Sequence, residues 1–173
     1  MTAQSVASVA YIGLGSNLGH SRRRLARALA ELSRLPRSRI LTASGNYVSE
    51  AVDAASPQPD YINAVAAVRT ELGPGALLRH LHAIERRHGR RRRNELRNAP
   101  RTLDLDLLLF GRRRFAQPRL TVPHPRMHER AFVLRPLLDI ARAATIPGRG
   151  AARPWLHRVH GQRIGRTRTE FWR

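Results

Sequence analysis

Apolar residues return every three or four positions at Leu25, Ala28, Leu29, Leu32 and Leu35, which predicts a helix over residues 21–35 with one buried face, stopped by Pro36. A second helix is expected from Pro74 to Gly89, with Leu77, Leu78, Leu81, Ile84 and His88 as its stripe, and a third over 131–141, opened by Arg130. Strands are expected at 7–14, at 39–48 with an interruption at Gly45, and at 61–70, where β-branched residues alternate with small ones. The most telling strand is 99–110, APRTLDLDLLLF. Its alternation places Leu103, Leu105, Leu107 and Leu109 on one face and Thr102, Asp104, Asp106 and Leu108 on the other.

Between these elements the chain is polar. Residues 15–19 read as a strand-to-helix turn, with Asn17 or Ser21 as the cap. The segment GLGSNLG lacks the spacing of a dinucleotide fingerprint, and the chain holds no GxxxxGK[ST] loop. Residues 49–60 form a loop, 111–118 a turn, and 147–173 one short helix with a frayed end. The loop 89–100 carries so much positive charge that it repels itself until an anion enters. Arg22, Arg23 and Arg24 fall in a first helical turn, where the macrodipole disfavours cations, and are expected to be solvated.

The 173 residues suit one domain over 1–173, with a basic C-terminal extension from about 147. Cysteine is absent, which excludes disulfides, thiolate metal sites and a thiol nucleophile. The N-terminus lacks the pattern of a secretory signal, and no apolar run is long enough to span a bilayer, so a cytoplasmic monomer without membrane contact is expected. The net charge is +20, and every basic side chain apart from histidine is an arginine. A source-wide preference for arginine accounts for the scattered ones; the crowding of Arg90 to Arg93, Arg97 and Arg101 against the acid strand calls for a separate reason.

That reason is chemical. Two carboxylates at i and i+2 on a strand repel each other unless cations sit beside them, and such hard oxygen ligands suit Mg²⁺, which commonly takes one or two carboxylates together with substrate phosphates and water. Asp104 and Asp106 framed by guanidinium groups therefore suit a triphosphate. Tyr61 and Asn63 share a strand face, as an aromatic and an amide that can stack on and hydrogen-bond a flat heterocycle. Pro123 and Pro125 fix the backbone around His124, holding an imidazole toward a phosphate. Glu85 lies on a helix flank, within reach of a ribose or metal-bound water, although a solvated face is the simpler reading.

Taken together, YIGLGSNLG, PDYINAV, IERRHGR, PRTLDLDLLLFG and LTVPHPRMHERAFVLRPLLDIA resemble, in order and over most of residues 10–141, the 6-hydroxymethyl-7,8-dihydropterin pyrophosphokinase family. The resemblance implies an α+β, ferredoxin-like antiparallel sheet with helices packed mainly on one face, and transfer of pyrophosphate from ATP to the pterin hydroxymethyl group with release of AMP. It implies Asp104 and Asp106 as ligands of two Mg²⁺ ions, and Arg90 and Arg101 as catalytic beside them. Glu85, Arg90, Arg93, Arg101, Arg119, Thr121 and His124 would form the ATP side. Ser49, Tyr61, Asn63, Arg130 and Phe132 would form the pterin side, with the ring between Tyr61 and Phe132. The chain departs from the family's usual pattern in carrying Asn98 in place of a tryptophan, Arg93 in place of a lysine, and Ser49-Glu50 in place of a threonine-proline pair. The competing reading is a basic RNA-binding module on a ferredoxin-like sheet. Against it stand the missing surface-aromatic pattern and acids at the sheet centre, so no nucleic-acid partner is expected.

Overall fold

A computed structural model describes residues 6–52, 56–90 and 99–167. The elements run β1 (Ser8–Ser16), α1 (Ser21–Leu32), β2 (Ser38–Ala43), β3 (Tyr47–Ser49), β4 (Tyr61–Thr70), α2 (Pro74–Arg87), β5 (Asp104–Phe110), β6 (Phe115–Gln117), β7 (Leu120–Val122), α3 (Ala131–Ile140), β8 (Thr145–Ile146), β9 (Gly150–Ala151), α4 (Ala152–Arg158) and β10 (Ile164–Arg166). A 3₁₀ turn, Met127–Glu129, precedes α3. The main sheet has the order β10-β3-β4-β1-β5, with β2 also pairing along β4, and every pairing is antiparallel.

β4 explains why 39–48 is two strands rather than one. Its far half pairs with β2 and its near half with β3, while at the break the Ser44 hydroxyl accepts the Val65 N–H at 3.0 Å in place of a main-chain carbonyl. The short helix expected within 147–173 is α4, while short strands occupy stretches where none was expected, namely the β6–β7 hairpin and β10.

The core has two layers. Ala10, Ile12, Leu14, Ala64, Ala66, Val68, Leu103, Leu105 and Leu107 pack with α1 and α2 on one face of the sheet. Val65, Leu108 and Leu109 pack with Val133, Leu134 and Leu137 of α3 and Ala152 of α4 on the other. Helices therefore pack on both faces, α1 and α2 on one and α3 and α4 on the other, where they were expected mainly on one. Leu109 also departs from the simple alternation. Tyr11 pairs with Leu109 but Ile12 with Leu107, so a β-bulge turns Leu108 and Leu109 to the second face and returns Phe110 to the first.

Three local expectations change for identifiable reasons. Neither Asn17 nor Ser21 caps α1, whose N-cap is His20 with no side-chain hydrogen bond. Arg24 is half-buried rather than solvated, and its guanidinium donates to the carbonyls of Leu18 and Thr102, tying the β1–α1 turn to the start of β5. His88 is not part of the apolar stripe: its Nε2 meets Glu31 Oε1 at 2.6 Å, and Arg87 bonds the same carboxylate, joining α1 to α2. Among the described residues no helix is long and apolar enough to cross a membrane.

Candidate active site

The acid pair belongs to the second face of the sheet, beside the edge of α3. Register sets Asn63, Gly15 and Asp104 in one row across β4, β1 and β5, with Val65, Gly13 and Asp106 in the next. Both central positions are glycines, so a trough runs between the carboxylates and the β4 side chains. A Cβ at Gly15 would stand 3.4 Å from Asn63 Oδ1 and 3.8 Å from Tyr61 Cδ1, inside that trough. Roofed by Arg130, Phe132 and Val133, it becomes a cleft of about 780 Å³ including its open mouth, also lined by Ser49, Glu50, Tyr61, Asn63, Arg101, Asp104, Asp106 and Arg126. A partly apolar cleft with a few convergent polar groups is the usual setting for a small-molecule ligand.

Asp104 is held by two arginines. Arg90 donates through Nη1 to Asp104 Oδ1 and, at 2.5 Å, to Glu85 Oε1, while Arg101 Nη1 donates to Asp104 Oδ2 at 2.5 Å. Glu85 is 0% exposed and also accepts the Leu105 N–H at 2.8 Å, which anchors the assembly to β5 itself. This overturns the solvated helix flank: Glu85 acts on Arg90 from beneath the site. Gly89, at φ +84°, ends α2 in the left-handed region and turns the chain so that Arg90 folds back, its N–H bonded to the Glu85 carbonyl at 3.0 Å.

Arg101 is placed by Asn17. The Asn17 Oδ1 accepts the Arg101 N–H at 2.8 Å and the Asn17 N–H donates to the Arg101 carbonyl at 3.1 Å, while Nδ2 donates to Gln58 Oε1 and the Pro59 carbonyl. Asn17 thus joins the loop before Tyr61 to the loop before the acid strand. Its role escaped the sequence reading because all its partners are remote; its position just past a buried strand was the available signal.

The two carboxylates differ electrostatically. Burial pushes Asp104 up, but the Arg101 and Arg90 charges outweigh it and hold the carboxyl below its ordinary range. Asp106 is pushed up by burial and by the Asp104 charge, against the pull of His124 and Arg130. His124 Nε2 lies 3.8 Å from Asp106 Oδ2. Burial lowers the His124 pKa despite the nearby carboxylates. Its Nδ1 accepts the Arg126 N–H at 3.2 Å, so the neutral ring carries its proton on Nε2, facing Asp106.

On the far wall Asn63 Nδ2 donates to Ser49 Oγ at 2.9 Å, which leaves Oδ1 toward the trough. The Arg130 guanidinium lies over the Phe132 ring, 5.5 Å from its centroid. The fold thus gathers Ser49, Tyr61, Asn63, Arg101, Asp104, Asp106, Arg130 and Phe132 in one cleft and sets His124 at its edge. Arg119 and Thr121 sit exposed on the β6–β7 hairpin, outside the lining. Arg93 and Asn98 lie outside the described residues. Glu50 lines the cleft beside Ser49, and Gly13, Gly15 and Arg126 are lining residues with no role assigned from the sequence.

A family model described as 7,8-dihydro-6-hydroxymethylpterin-pyrophosphokinase (HPPK) matches residues 11–142. A 2-amino-4-hydroxy-6-hydroxymethyldihydropteridine pyrophosphokinase of Pseudomonas aeruginosa is 47% identical over 137 residues, 79% of this chain and 83% of that protein. A protein of the same name from Bacillus subtilis is 40% identical over 135 residues, 78% of this chain and 79% of its own. Among solved structures, wild-type HPPK-DHPS of Plasmodium falciparum superposes with a TM-score of 0.66 at 12% identity, over 91% of this chain and 42% of that one. This chain therefore spans less than half of that structure, and the likeness is one of fold.

Proposed function

The chain belongs to the 7,8-dihydro-6-hydroxymethylpterin-pyrophosphokinase family, and from that membership we propose that it transfers pyrophosphate from ATP to the hydroxymethyl group of 6-hydroxymethyl-7,8-dihydropterin, yielding AMP and the pterin diphosphate for folate synthesis. The observation that carries the reading is a cleft with an acid pair along one wall, Asp104 braced by two arginines, and an aromatic and amide pocket along the other. On this reading the pterin ring lies between Tyr61 and Phe132, with Asn63 Oδ1 accepting one of its N–H groups and Ser49 fixing the amide. Arg101 and Arg90, already paired with a carboxylate, turn to the incoming phosphates, with Arg93, Arg119, Thr121 and His124 on the nucleotide side. Glu85 serves that side through Arg90.

The donor set fits Mg²⁺. It offers two carboxylates on one strand face, with Asp106 raised by burial and by the Asp104 charge, a repulsion that a cation would relieve. Among the described residues no group of three His, Asp or Glu could hold a metal, so the remaining ligands would come from phosphate oxygens and water, the usual pattern for this ion. Asp104 and Asp106 would hold two such ions, and the chemistry these supply is neutralisation of charge on the phosphate oxygens. The chain's own residues orient the hydroxyl against the β-phosphorus and exclude water that would compete as acceptor. No side chain is assigned as a general base.

We further read the antiparallel order and, with β2 and β3 counted as one broken strand along β4, the β-α-β-β-α-β succession as a ferredoxin-like plan, and the chain as a one-domain, monomeric, cytoplasmic enzyme. The RNA-binding alternative is disfavoured by the acids on the open part of the sheet, which would repel a phosphate backbone. Incubation with ATP, Mg²⁺ and 6-hydroxymethyl-7,8-dihydropterin, read by mass spectrometry, should yield AMP and a diphosphorylated pterin in equal amounts. ADP with a monophosphorylated pterin, or no nucleotide turnover, contradicts the proposal.

A further inference from the structure

The family match ends at residue 142, yet the chain that follows returns to the cleft. α4 packs on α3, with the Trp155 ring edge-on to His128 at 4.9 Å, and β10 pairs with β3 so that Ile164 lies opposite Ser49. Between α4 and β10 stands Gln162. Its Oε1 accepts the Ala131 N–H at 2.8 Å, and its Nε2 donates to the Glu129 carbonyl at 2.7 Å. One side-chain amide therefore holds the peptide groups on both sides of Arg130, as a strand residue holds its antiparallel neighbour.

Arg130 is a place where such a hold matters. It is the N-cap of α3, extended at φ −125° and ψ 109°, and has no side-chain cap bond of its own. The first N–H groups of a helix lack partners within it, and Gln162 supplies one from 31 residues away. From this fixed backbone the Arg130 side chain enters the cleft above Phe132. The segment does not need the Gln162 side chain in order to dock. Main-chain pairing with β3 holds it independently, and Arg163 reaches Glu50 at 2.7 Å and Asp60 at 3.3 Å on the opposite wall.

We infer that Gln162 is a positioning residue for pterin binding, which sets the direction in which Arg130 enters the cleft by clamping the peptide groups that flank it. The inference rests on the pyrophosphokinase reading. It is tested by titration calorimetry of 6-hydroxymethyl-7,8-dihydropterin, with Mg²⁺ and an unreactive ATP analogue present, for wild type, Gln162→Met, Gln162→Glu, Arg130→Ala and the two double variants. Gln162→Met should weaken the pterin by about tenfold, the loss of one to two hydrogen bonds, and leave affinity for the ATP analogue unchanged. Gln162→Glu keeps the acceptor for Ala131 and should lose less. In the Arg130→Ala background either change should cost less than about twofold, because the residue through which Gln162 acts is gone. An unchanged pterin affinity in Gln162→Met, or the same loss with and without Arg130, overturns the inference. Should Gln162→Met not fold, Gln162→Glu carries the same comparison. A wild-type protein that binds no pterin contradicts the pyrophosphokinase reading itself, whereas a binding wild type matched by its Gln162 variants contradicts only the clamp.

Discussion

Replacing Glu85 with alanine removes a carboxylate that is 0% exposed and on which two groups converge, the Arg90 guanidinium and the Leu105 N–H. Arg90, whose side chain is 4% exposed, would be left with Asp104 as its remaining carboxylate among the described residues, and the Leu105 amide would lose the oxygen it donates to. Breaking a buried ion pair costs about 3–5 kcal/mol, and stranding a buried donor about 1–3 kcal/mol. Because both bonds end on the same oxygen the two losses overlap, and the expected destabilisation is about 4 kcal/mol. Against a typical total of about 5–15 kcal/mol this is severe, and for a chain of this size it corresponds to a fall in Tm of about 8–16 °C. Glu85→Gln retains a carbonyl oxygen for the amide and should lose about half as much. Urea titration with a parallel thermal melt measures both variants. A Glu85→Ala protein within about 1 kcal/mol of wild type would refute the reasoning, since it would mean that Arg90 and β5 do not depend on this carboxylate.

Tyr47 is buried and donates to Asp139 Oδ2 at 2.5 Å; burial, that bond and the Asp139 charge push its pKa up to about 12. An unfolded tyrosine loses its proton near pH 10, so stability is intact below about pH 10 and should decline by at most about 2–3 kcal/mol as the pH rises to about 12. Tyr47→Phe should flatten that decline in denaturant titrations, and an unchanged slope would show that the Tyr47 hydroxyl is not its source. Tyr61→Ala and Phe132→Ala should each weaken the pterin by about tenfold or more while sparing nucleotide affinity; calorimetry showing equal losses for both ligands would rule out the sandwich.

The acid pair, the α1 stripe and the position of Tyr61 beside Asn63 were legible in the sequence because each depends on spacing within one element. What was not legible depends on partners remote in the chain. Glu85 looks like a helix-surface acid until Arg90 folds back beneath it, and Arg24 looks solvated until the Leu18 and Thr102 carbonyls come within its reach. Leu109 follows a strict alternation until a bulge that only the pairing with β1 can impose turns it to the other face. The same holds for Gln162, an unremarkable polar residue in sequence whose two bonds reach across the fold to either side of Arg130.

The central claim is that Asp104 and Asp106 face the same substrates as Tyr61 and Phe132 and take part in the transfer of pyrophosphate. Single-turnover release of AMP from enzyme saturated with ATP, Mg²⁺ and the reduced pterin, compared between wild type and Asp106→Asn with both shown folded by their melting curves, tests it most directly. A loss of about 10³-fold or more is expected, equivalent to several kcal/mol of lost charge stabilisation. Release within about tenfold of wild type would contradict the account.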